Sequence, residues 1–552
     1  MMYRNSSKPM GSHGHITQPP TSFPLHSTHS TPALDLPMTR KARPTKRIRK
    51  AANSEASEGS LIRFISYTNR SFEQPTRGDL YTLRPGKKRK KWRAGGTTIG
   101  ILPEDILLDI FDFYRLGARD PSSPWKWHRL AHVCRKWRHV ISTSPRRLDL
   151  RILCNYGAPI GSILDSWPTL PLFVRHNNPR STSLPNNVIV ALRRPNRVCE
   201  IDLVLPSWSM GPIVEAIQEP FQTLECIRIT VKNATGPPML VREAFLGGLA
   251  PRLRKIKLDG IAFPFPAIRQ VISSSGNNLV ELHLSSIAND VHLSPRDLVT
   301  SLMALVQLKR LTIGFHFPPS SPSPSVAPPQ RTTLPSLTFL EFHGPREYLE
   351  EFVARTDFPA LFEIDIRLFN DIFFEIPHFS RFIPLQIALG FPTSVFVTHL
   401  EEYVSVFIVP RVESSKGYCC LKASCSRLDW QLSFVTQISS QLPLQVLSSV
   451  RLLSIQSNDT LPTGEDDLDS TQWLEFFQPF THVTDVDVLG EKLVPGIVQT
   501  LATEDMATEV LPELTSLRLN GYRKSPSVAK AAEKFVATRR RLSGRTVYLT
   551  DC

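Results

Sequence analysis

The six residues Leu279–Leu284, LVELHL, carry the pattern that decides the fold of most of this chain. The first, fourth and sixth positions of this phrase are apolar, and the second, third and fifth positions vary. Side chains of a β-strand alternate between two faces, so the last three residues predict a short strand with one buried face. A single phrase is weak evidence, but this one occurs ten times, beginning at Val198, Leu224, Leu253, Leu279, Leu308, Leu337, Leu361, Val450, Val483 and Leu514.

The phrases are nearly evenly spaced. Steps between the first seven starts are 26, 29, 26, 29, 29 and 24 residues, and the last three starts are separated by 33 and 31 residues. This array resembles leucine-rich repeats, and the resemblance implies a solenoid of short parallel strands in which each unit buries its apolar face against its neighbours. The Asn that usually follows the strand is mostly absent, and no repeat is countable between about residues 385 and 445.

A different pattern precedes the repeats. In GILPEDILLDIFDFYRL (Gly100–Leu116), Pro103 suits the first turn of a helix, two acidic residues follow, and apolar residues then recur at helical spacing. The segment WHRLAHVCRKWRHVI (Trp127–Ile141) is a second apolar helix, and the Gly-, Pro- and Ser-rich stretch between them predicts a loop. A unit of about 45 residues cannot cover so much apolar surface by itself. We therefore expect a partner to cover it.

The order of these motifs resembles an F-box: a Leu-Pro step, an acidic position, alternating aliphatic residues, and then Leu, Val, Cys and Trp on a later helix. The connecting loop, with Pro121 and Pro124, is longer than usual. The resemblance implies docking onto a Skp-family adaptor of a cullin–RING ubiquitin ligase, while the repeats hold an unknown protein substrate. Two alternatives are a repeat scaffold without a ligase role, whose F-box-like unit serves another partner, and a nuclear regulator that binds nucleic acid through the basic N-terminal tail. It implies adaptor contact by Leu102, Pro103, Ile106, Leu107, Ile110, Leu130, Val133, Cys134, Trp137 and Val140.

A structural role is the alternative for many of these residues. Trp127, Leu130, Cys134 and Ile141 share one stripe, which favours packing between the two helices. The Leu-Pro step lies before the first helix and has little core role of its own, so it is the strongest candidate for adaptor contact.

Residues between the apolar positions of the predicted strands point to the opposite face of the sheet and are candidates for substrate binding. Their charges alternate in sign along the array, which favours a protein ligand over a polyanion. An ordinary solvated surface of mixed charge explains the pattern equally well. The candidates are Glu200, Asp202, Cys226, Arg228, Lys255, Lys257, Glu281, His283, Lys309, Thr312, Glu363 and Asp365.

The net charge of +15 is concentrated at the N-terminal end, where residues 1–93 hold 19 Lys or Arg and 5 Asp or Glu. The remainder is nearly neutral and gives no general case for nucleic-acid binding beyond weak contact by the tail. Few apolar residues recur in this tail, so we expect disorder. Two basic clusters are candidates for nuclear import or for a merely solvated polybasic tail: Lys46, Arg47, Arg49 and Lys50, then Lys87, Lys88, Arg89, Lys90 and Lys91.

The sequence offers little for chemistry. The only cysteine cluster, Cys419, Cys420 and Cys425, lacks the four paired ligands of a structural zinc site, and the acidic run Gly464–Ser470 lacks calcium-loop spacing. We find no phosphate loop or nucleophile elbow, so we expect no cofactor and no enzymatic activity. The eight cysteines lack disulfide spacing, which favours reduced thiols in the cytoplasm or nucleus.

The fold prediction is therefore α/β with three parts. A disordered basic tail spans residues 1–97, a short helical F-box-like domain spans 98–147, and a degenerate leucine-rich-repeat-like solenoid with short parallel strands spans 148–552. The most apolar stretch, Phe382–Leu400, is interrupted by polar residues and prolines, so it predicts buried strands rather than a membrane span.

Overall fold

The computed structural model describes residues 101–117, 130–144, 151–154, 160–177, 186–232, 244–261, 264–287, 293–315, 331–369, 376–381, 393–410, 417–457, 470–503 and 509–551. All of them belong to one compact unit, Gly95–Cys552. The predictions for the tail, for both nuclear-import clusters and for Trp127 lie outside the described residues. The predicted domain boundaries remain predictions.

Most of the described strands belong to one sheet. The strands are β1 (Ile152–Cys154), β2 (Leu172–Asn177), β3 (Val198–Pro206), β4 (Cys226–Lys232), β5 (Lys255–Asp259), β6 (Glu281–Ile287), β7 (Arg310–Phe315), β8 (Thr332–Thr333), β9 (Phe339–Gly344), β10 (Thr356–Asp357), β11 (Glu363–Leu368), β12 (Thr393–His399), β13 (Tyr403–Pro410), β14 (Tyr418–Ser424), β15 (Val450–Ser457), β16 (Asp485–Leu489), β17 (Ser516–Leu519) and β18 (Tyr548–Asp551). Sixteen of them pair in the order β1-β2-β3-β4-β5-β6-β7-β9-β11-β14-β13-β12-β15-β16-β17-β18, and β8 pairs with β10 separately.

All ten sequence phrases coincide with strands of the large sheet, and each of these strands has only parallel partners. The apolar positions of the phrase are buried, as in Ile256 and Leu258 of β5 or Leu282 and Leu284 of β6. The prediction of an α/β fold with short parallel strands is thus confirmed. The assignment to a leucine-rich-repeat solenoid remains a prediction.

The stretch without countable repeats contains the one interruption of the parallel order that the described strands show. Strand β13 pairs antiparallel with both β12 and β14, while β14 pairs parallel with β11 and β12 with β15. The three strands therefore form a meander inserted in reverse chain order. Short turns can join antiparallel strands, so this segment needs no return helix and loses the repeat phrase. Of the predicted buried strands in Phe382–Leu400, the part from Thr393 is confirmed as β12, and residues 382–392 lie outside the described residues.

Thirteen α-helices occur in the described residues: α1 (Glu104–Gly117), α2 (Arg135–Thr143), α3 (Ile160–Ser166), α4 (Asn186–Leu192), α5 (Met210–Ala216), α6 (Phe265–Ser275), α7 (Pro295–Leu302), α8 (Arg346–Ala354), α9 (Leu428–Gln441), α10 (Leu444–Leu447), α11 (Ser470–Phe477), α12 (Val494–Leu501) and α13 (Pro526–Ser543). Buried apolar residues of these helices, α1 and α2 among them, form one core cluster with the buried strand positions. Among the described helices, none combines the length and apolar character needed to cross a bilayer.

Helix α13 illustrates how local sequence sets an element. Ser525 is the N-cap residue, and Pro526 occupies the first turn, where proline is tolerated. The Ser525 hydroxyl pairs with the Ser527 hydroxyl rather than with a backbone N–H of the helix. The helix ends at Gly544, whose φ of 70° is a left-handed conformation that glycine adopts without strain.

Candidate functional site

Helices α1 and α2 form a small two-helix unit held by a few buried side chains. Glu104 and Asp105 lie in the first turn of α1, where negative charge stabilises a helix. Helix α2 begins after Cys134, whose thiol accepts a hydrogen bond from the backbone N–H of Trp137 at 3.5 Å. The rings of Phe111 and Trp137 meet edge to face with centroids 4.8 Å apart, so the aromatic pair joins the helices.

A polar contact fixes the Leu-Pro step against the second helix. The Lys136 ammonium donates a hydrogen bond to the carbonyl oxygen of Leu102 at 2.7 Å. Leu102 is half-buried and packs against the core cluster, whereas Pro103 is exposed. The step is therefore held in place by α2 while its proline faces solvent.

The described part of the chain leaves an apolar stripe on α1 exposed to solvent. The side chains of Ile106, Ile110 and Phe113 are 42%, 39% and 81% exposed, and their spacing puts them on one side of the helix. Val133, just before α2, is 54% exposed. Exposed aliphatic and aromatic side chains that share one side of a helix mark interaction sites. We call Ile106, Ile110, Phe113 and Val133 the apolar patch.

The ten residues predicted to contact the adaptor divide into three groups in the structure. Pro103, Ile106, Ile110 and Val133 are exposed, and Leu102, Leu130 and Cys134 are half-buried. Leu107, Trp137 and Val140 are buried within the chain. The last three can only support the patch from beneath in this conformation, as the alternative of helix packing anticipated.

Sequence reasoning did not single out Phe113, the most exposed member of the patch. Its signal was present, because Phe113 follows Ile106 by seven residues and Ile110 by three, which places all three on one helix face. Ile101, which precedes α1 and is largely exposed, was also not among the predicted contact residues.

The comparisons with known proteins agree with this geometry at the N-terminal end. Residues 99–151 match the F-box-like family model. No curated protein matches the chain. The class of module at this end of the chain is therefore an F-box-like domain, and it includes α1, α2 and the patch.

The second candidate surface is the face of the sheet opposite the buried strand positions, here called the open face. The in-register neighbours Glu200, Cys226, Lys255 and Glu281 form one row across β3–β6. Asp202, Arg228, Lys257 and His283 form the next row. The structure thus brings the predicted substrate-binding residues of these strands together in two rows.

Ion pairs between neighbouring strands account for most of the alternating charge. Arg228 lies 3.0 Å from Glu200, and Lys255 lies 2.7 Å from Glu281. Lys422 of β14 pairs with Asp365 of the neighbouring β11 at 2.9 Å, and Arg310 of β7 reaches across the intervening β9 to Glu363 of β11 at 3.7 Å. Exposed pairs of this kind stabilise a fold only weakly, yet they leave the open face nearly neutral. Lys257 is exposed and forms no salt bridge with any described residue.

A hydrogen-bonded polar cluster lies at the end of β6. The Ser285 hydroxyl donates to Asp259 at 2.8 Å and lies 3.0 Å from Nε2 of His283, and Ser286 also donates to Asp259. Burial, together with the nearby charge of Lys257, lowers the pKa of His283 to about 4. The imidazole is therefore neutral at neutral pH and adds no positive charge to the open face.

Aromatic side chains from the meander continue the second row of the open face. The rings of Phe396 and Phe407 lie 6.5 Å apart, and Phe407 lies 5.3 Å from Tyr418. The Arg367 guanidinium lies 5.2 Å from the Tyr403 ring. The repeat phrase is absent from the meander, so these aromatic residues were not among the sequence-based candidates. Aromatic residues and arginine are enriched at protein interfaces, so this part of the face is the better apolar anchor.

The thiols of the GYCCLKASC stretch are buried or half-buried. Burial raises the pKa of Cys420 to about 12 and that of Cys425 to about 11, and it also raises the pKa of Cys419. Within the described ranges, no group of three or more His, Cys, Asp or Glu residues could hold a metal ion.

Proposed function

We propose that this protein is the substrate-recognition subunit of a Skp–cullin–F-box ubiquitin ligase. The F-box-like domain docks a Skp-family adaptor, and the sheet holds a protein substrate. The observation that supports this proposal most strongly is the apolar patch within the F-box-like match at residues 99–151.

The energetics of the patch favour docking over a purely structural role. Removing an aliphatic or aromatic side chain from water contributes about 1.5–3 kcal/mol when it becomes fully buried. The patch holds two isoleucines, one valine and one phenylalanine that the described chain leaves exposed. An adaptor that covers them gains this free energy, and the buried Leu107, Phe111 and Trp137 beneath give it a firm surface to bind.

No catalytic residue is needed in this mechanism. The protein raises the local concentration of its substrate beside the ubiquitin-charged enzyme that the remainder of the ligase carries. Since residues of α1, α2 and the sheet share one apolar core cluster, the substrate surface is held in a defined position relative to the docked adaptor.

The adaptor role is tested by co-purification. The double variant Ile106→Glu with Ile110→Glu places two charges in the patch and substitutes no buried residue. We expect the adaptor not to co-purify with this variant. Val190→Glu is the matched control, because Val190 of α4 is also a partly exposed aliphatic residue but lies outside the patch. Adaptor recovery that is equal for the patch variant, the control and the wild type would contradict the proposal.

The Leu-Pro step gives a second, independent variant. Leu102→Ala with Pro103→Ala removes apolar surface next to the patch and leaves the backbone carbonyl that Lys136 contacts. We expect adaptor binding to weaken clearly and thermal stability to fall only slightly, because Leu102 is half-buried against the core cluster and Pro103 is exposed.

Substrate binding by the open face is tested separately. Lys255→Glu with Lys257→Glu reverses two charges, and the change at Lys255 also places two acidic side chains in register with each other across β5 and β6. With the proteasome blocked, we expect the captured clients to change while the adaptor is still recovered. Clients identical to those of the wild type would remove these residues from the substrate site.

A further inference from the structure

The last strand of the sheet leaves one backbone edge uncovered by any described strand. Strand β18 pairs in parallel with β17, and the N–H of Tyr548 donates to the carbonyl of Thr515. Alternate residues of a strand direct their backbone groups to opposite sides. The N–H and C=O groups of Leu549 and Asp551 therefore point away from β17, toward the open edge.

A groove accompanies this edge on the helix side of the sheet. It has a volume of about 630 Å³ and lies between α13 and β18; its lining includes Val536, Ala537, Val547 and Leu549. Leu517 of β17 is in register with Leu549 and is fully buried, whereas Leu549 is only half-buried. The groove is thus the place that the side chains of one more strand would fill.

The charge around the groove is mainly positive. Arg540 and Arg541 line it and are exposed, and Arg545 follows after the end of α13. Among the described residues, no salt bridge joins any of these three arginines to a carboxylate. Glu533 lies about two helical turns from Arg540, roughly 10 Å along α13. The end of the groove near the helix C-terminus therefore favours an anion.

We propose that the edge of β18 and the adjoining groove bind an extended acidic peptide segment of a partner protein, which adds as a further strand of the sheet. Main-chain hydrogen bonds to Leu549 and Asp551 hold the backbone of the segment. Its apolar side chains enter the groove over Val536 and Leu549, and its carboxylates meet Arg540 and Arg541. This site is separate from the adaptor patch and from the open face.

The probes for the test are two labelled peptides that alternate valine with threonine, so that all valines share the face toward the groove. The valines at both ends of that face are replaced by glutamate in one peptide and by lysine in the other. With the full-length protein, we expect fluorescence anisotropy to report binding of the glutamate peptide and much weaker binding of the lysine peptide. Bound glutamate peptide is expected to slow hydrogen exchange at the amides of Leu549 and Asp551. The amide of Thr550, which points toward β17, serves as the internal control for an intact strand.

Two variants separate the backbone and charge contributions. Leu549→Pro removes one outward N–H and keeps the pairing with β17, because proline is tolerated on an edge strand. Loss of this hydrogen bond, together with part of the apolar lining that the Leu549 side chain provides, is expected to weaken glutamate-peptide binding about tenfold. Arg540→Glu with Arg541→Glu is expected to weaken it further, while Lys530→Glu, on α13 but outside the groove, leaves it unchanged.

Equal affinity for both peptides, wild-type affinity in Leu549→Pro, or unchanged exchange at Leu549 would overturn the proposal. Concentration-dependent dimerisation that Leu549→Pro abolishes would also overturn it, because the occupant would then be a second copy of the chain. Adaptor recovery measured in parallel shows whether the F-box-like domain is intact, so failure of this proposal is distinguishable from failure of the proposed function.

Discussion

Two phenylalanines on the same helix are expected to respond in opposite ways to the same substitution. Phe111 is buried against Trp137 at a centroid distance of 4.8 Å, and Phe113 is 81% exposed. Phe111→Ala leaves a cavity beneath the patch and is expected to cost about 3–5 kcal/mol of local stability. Phe113→Ala removes no packed contact, and its effect on stability is expected to stay within about 0.5 kcal/mol.

The effect on adaptor binding separates the two residues further. We expect Phe113→Ala to weaken binding by about 1–2 kcal/mol, or roughly fivefold to thirtyfold, because it removes the largest exposed ring of the patch. Phe111→Ala weakens binding only because it loosens α1.

Hydrogen exchange at the amides of α1 measures local stability directly, and titration calorimetry with the purified adaptor measures affinity. A chain this large need not unfold in a single step, so local exchange is more informative than a global midpoint. Comparable loosening of α1 by both substitutions would refute the assignment of inner and outer faces. So would unchanged affinity in Phe113→Ala.

Three further predictions concern the sheet. Gly260→Ala is expected to cost about 1–3 kcal/mol, because φ is +71° and a Cβ would lie 2.8 Å from the Val231 carbonyl oxygen. Gly161→Ala is the control: it lies in helix α3, its added Cβ would meet no atom within 4 Å beyond the neighbouring backbone, and it is not expected to lower the thermal midpoint. Burial lowers the pKa of His399 from its ordinary 6.5 to about 4, so the unfolded chain binds the proton more tightly than the folded chain. The stability of the fold therefore falls as the pH drops from 6.5 toward 4. His399→Leu is expected to make the thermal midpoint less dependent on pH in that window. Glu200→Ala removes two salt bridges of 3.0 Å, to Arg151 and Arg228. It is expected to lower the free energy of unfolding, measured by denaturant titration, by less than about 2 kcal/mol, and by less at high salt.

The repeat phrase predicted ten strands because the burial of one strand face is visible in the local sequence. Each strand needs alternating apolar residues such as Ile256 and Leu258 to fill the core, and that need is visible in the sequence alone. The meander β12–β14 was not predicted, since its partners are fixed by antiparallel pairing over short turns and not by a repeated return segment. Its aromatic contribution to the open face was missed for the same reason.

The faces of α1 show where sequence reasoning reached its limit. Ile106, Leu107, Ile110 and Phe111 all fit an apolar helix, but the sequence cannot say which of them contact α2. In the structure, Leu107 and Phe111 are buried while Ile106 and Ile110 face outward. On the open face, the sequence predicted the alternating charges, whereas their mutual pairing depends on a strand register that only the fold defines.

The central claim is that the apolar patch is covered when the adaptor binds. Hydroxyl-radical footprinting of the full-length protein measures this directly, since side-chain oxidation depends on exposure. We expect addition of the adaptor to protect Ile106, Ile110 and Phe113 strongly while Val190 keeps its reactivity. A stable complex in which the three patch residues stay as reactive as in the free protein would contradict the account, as would failure of the adaptor to bind at all.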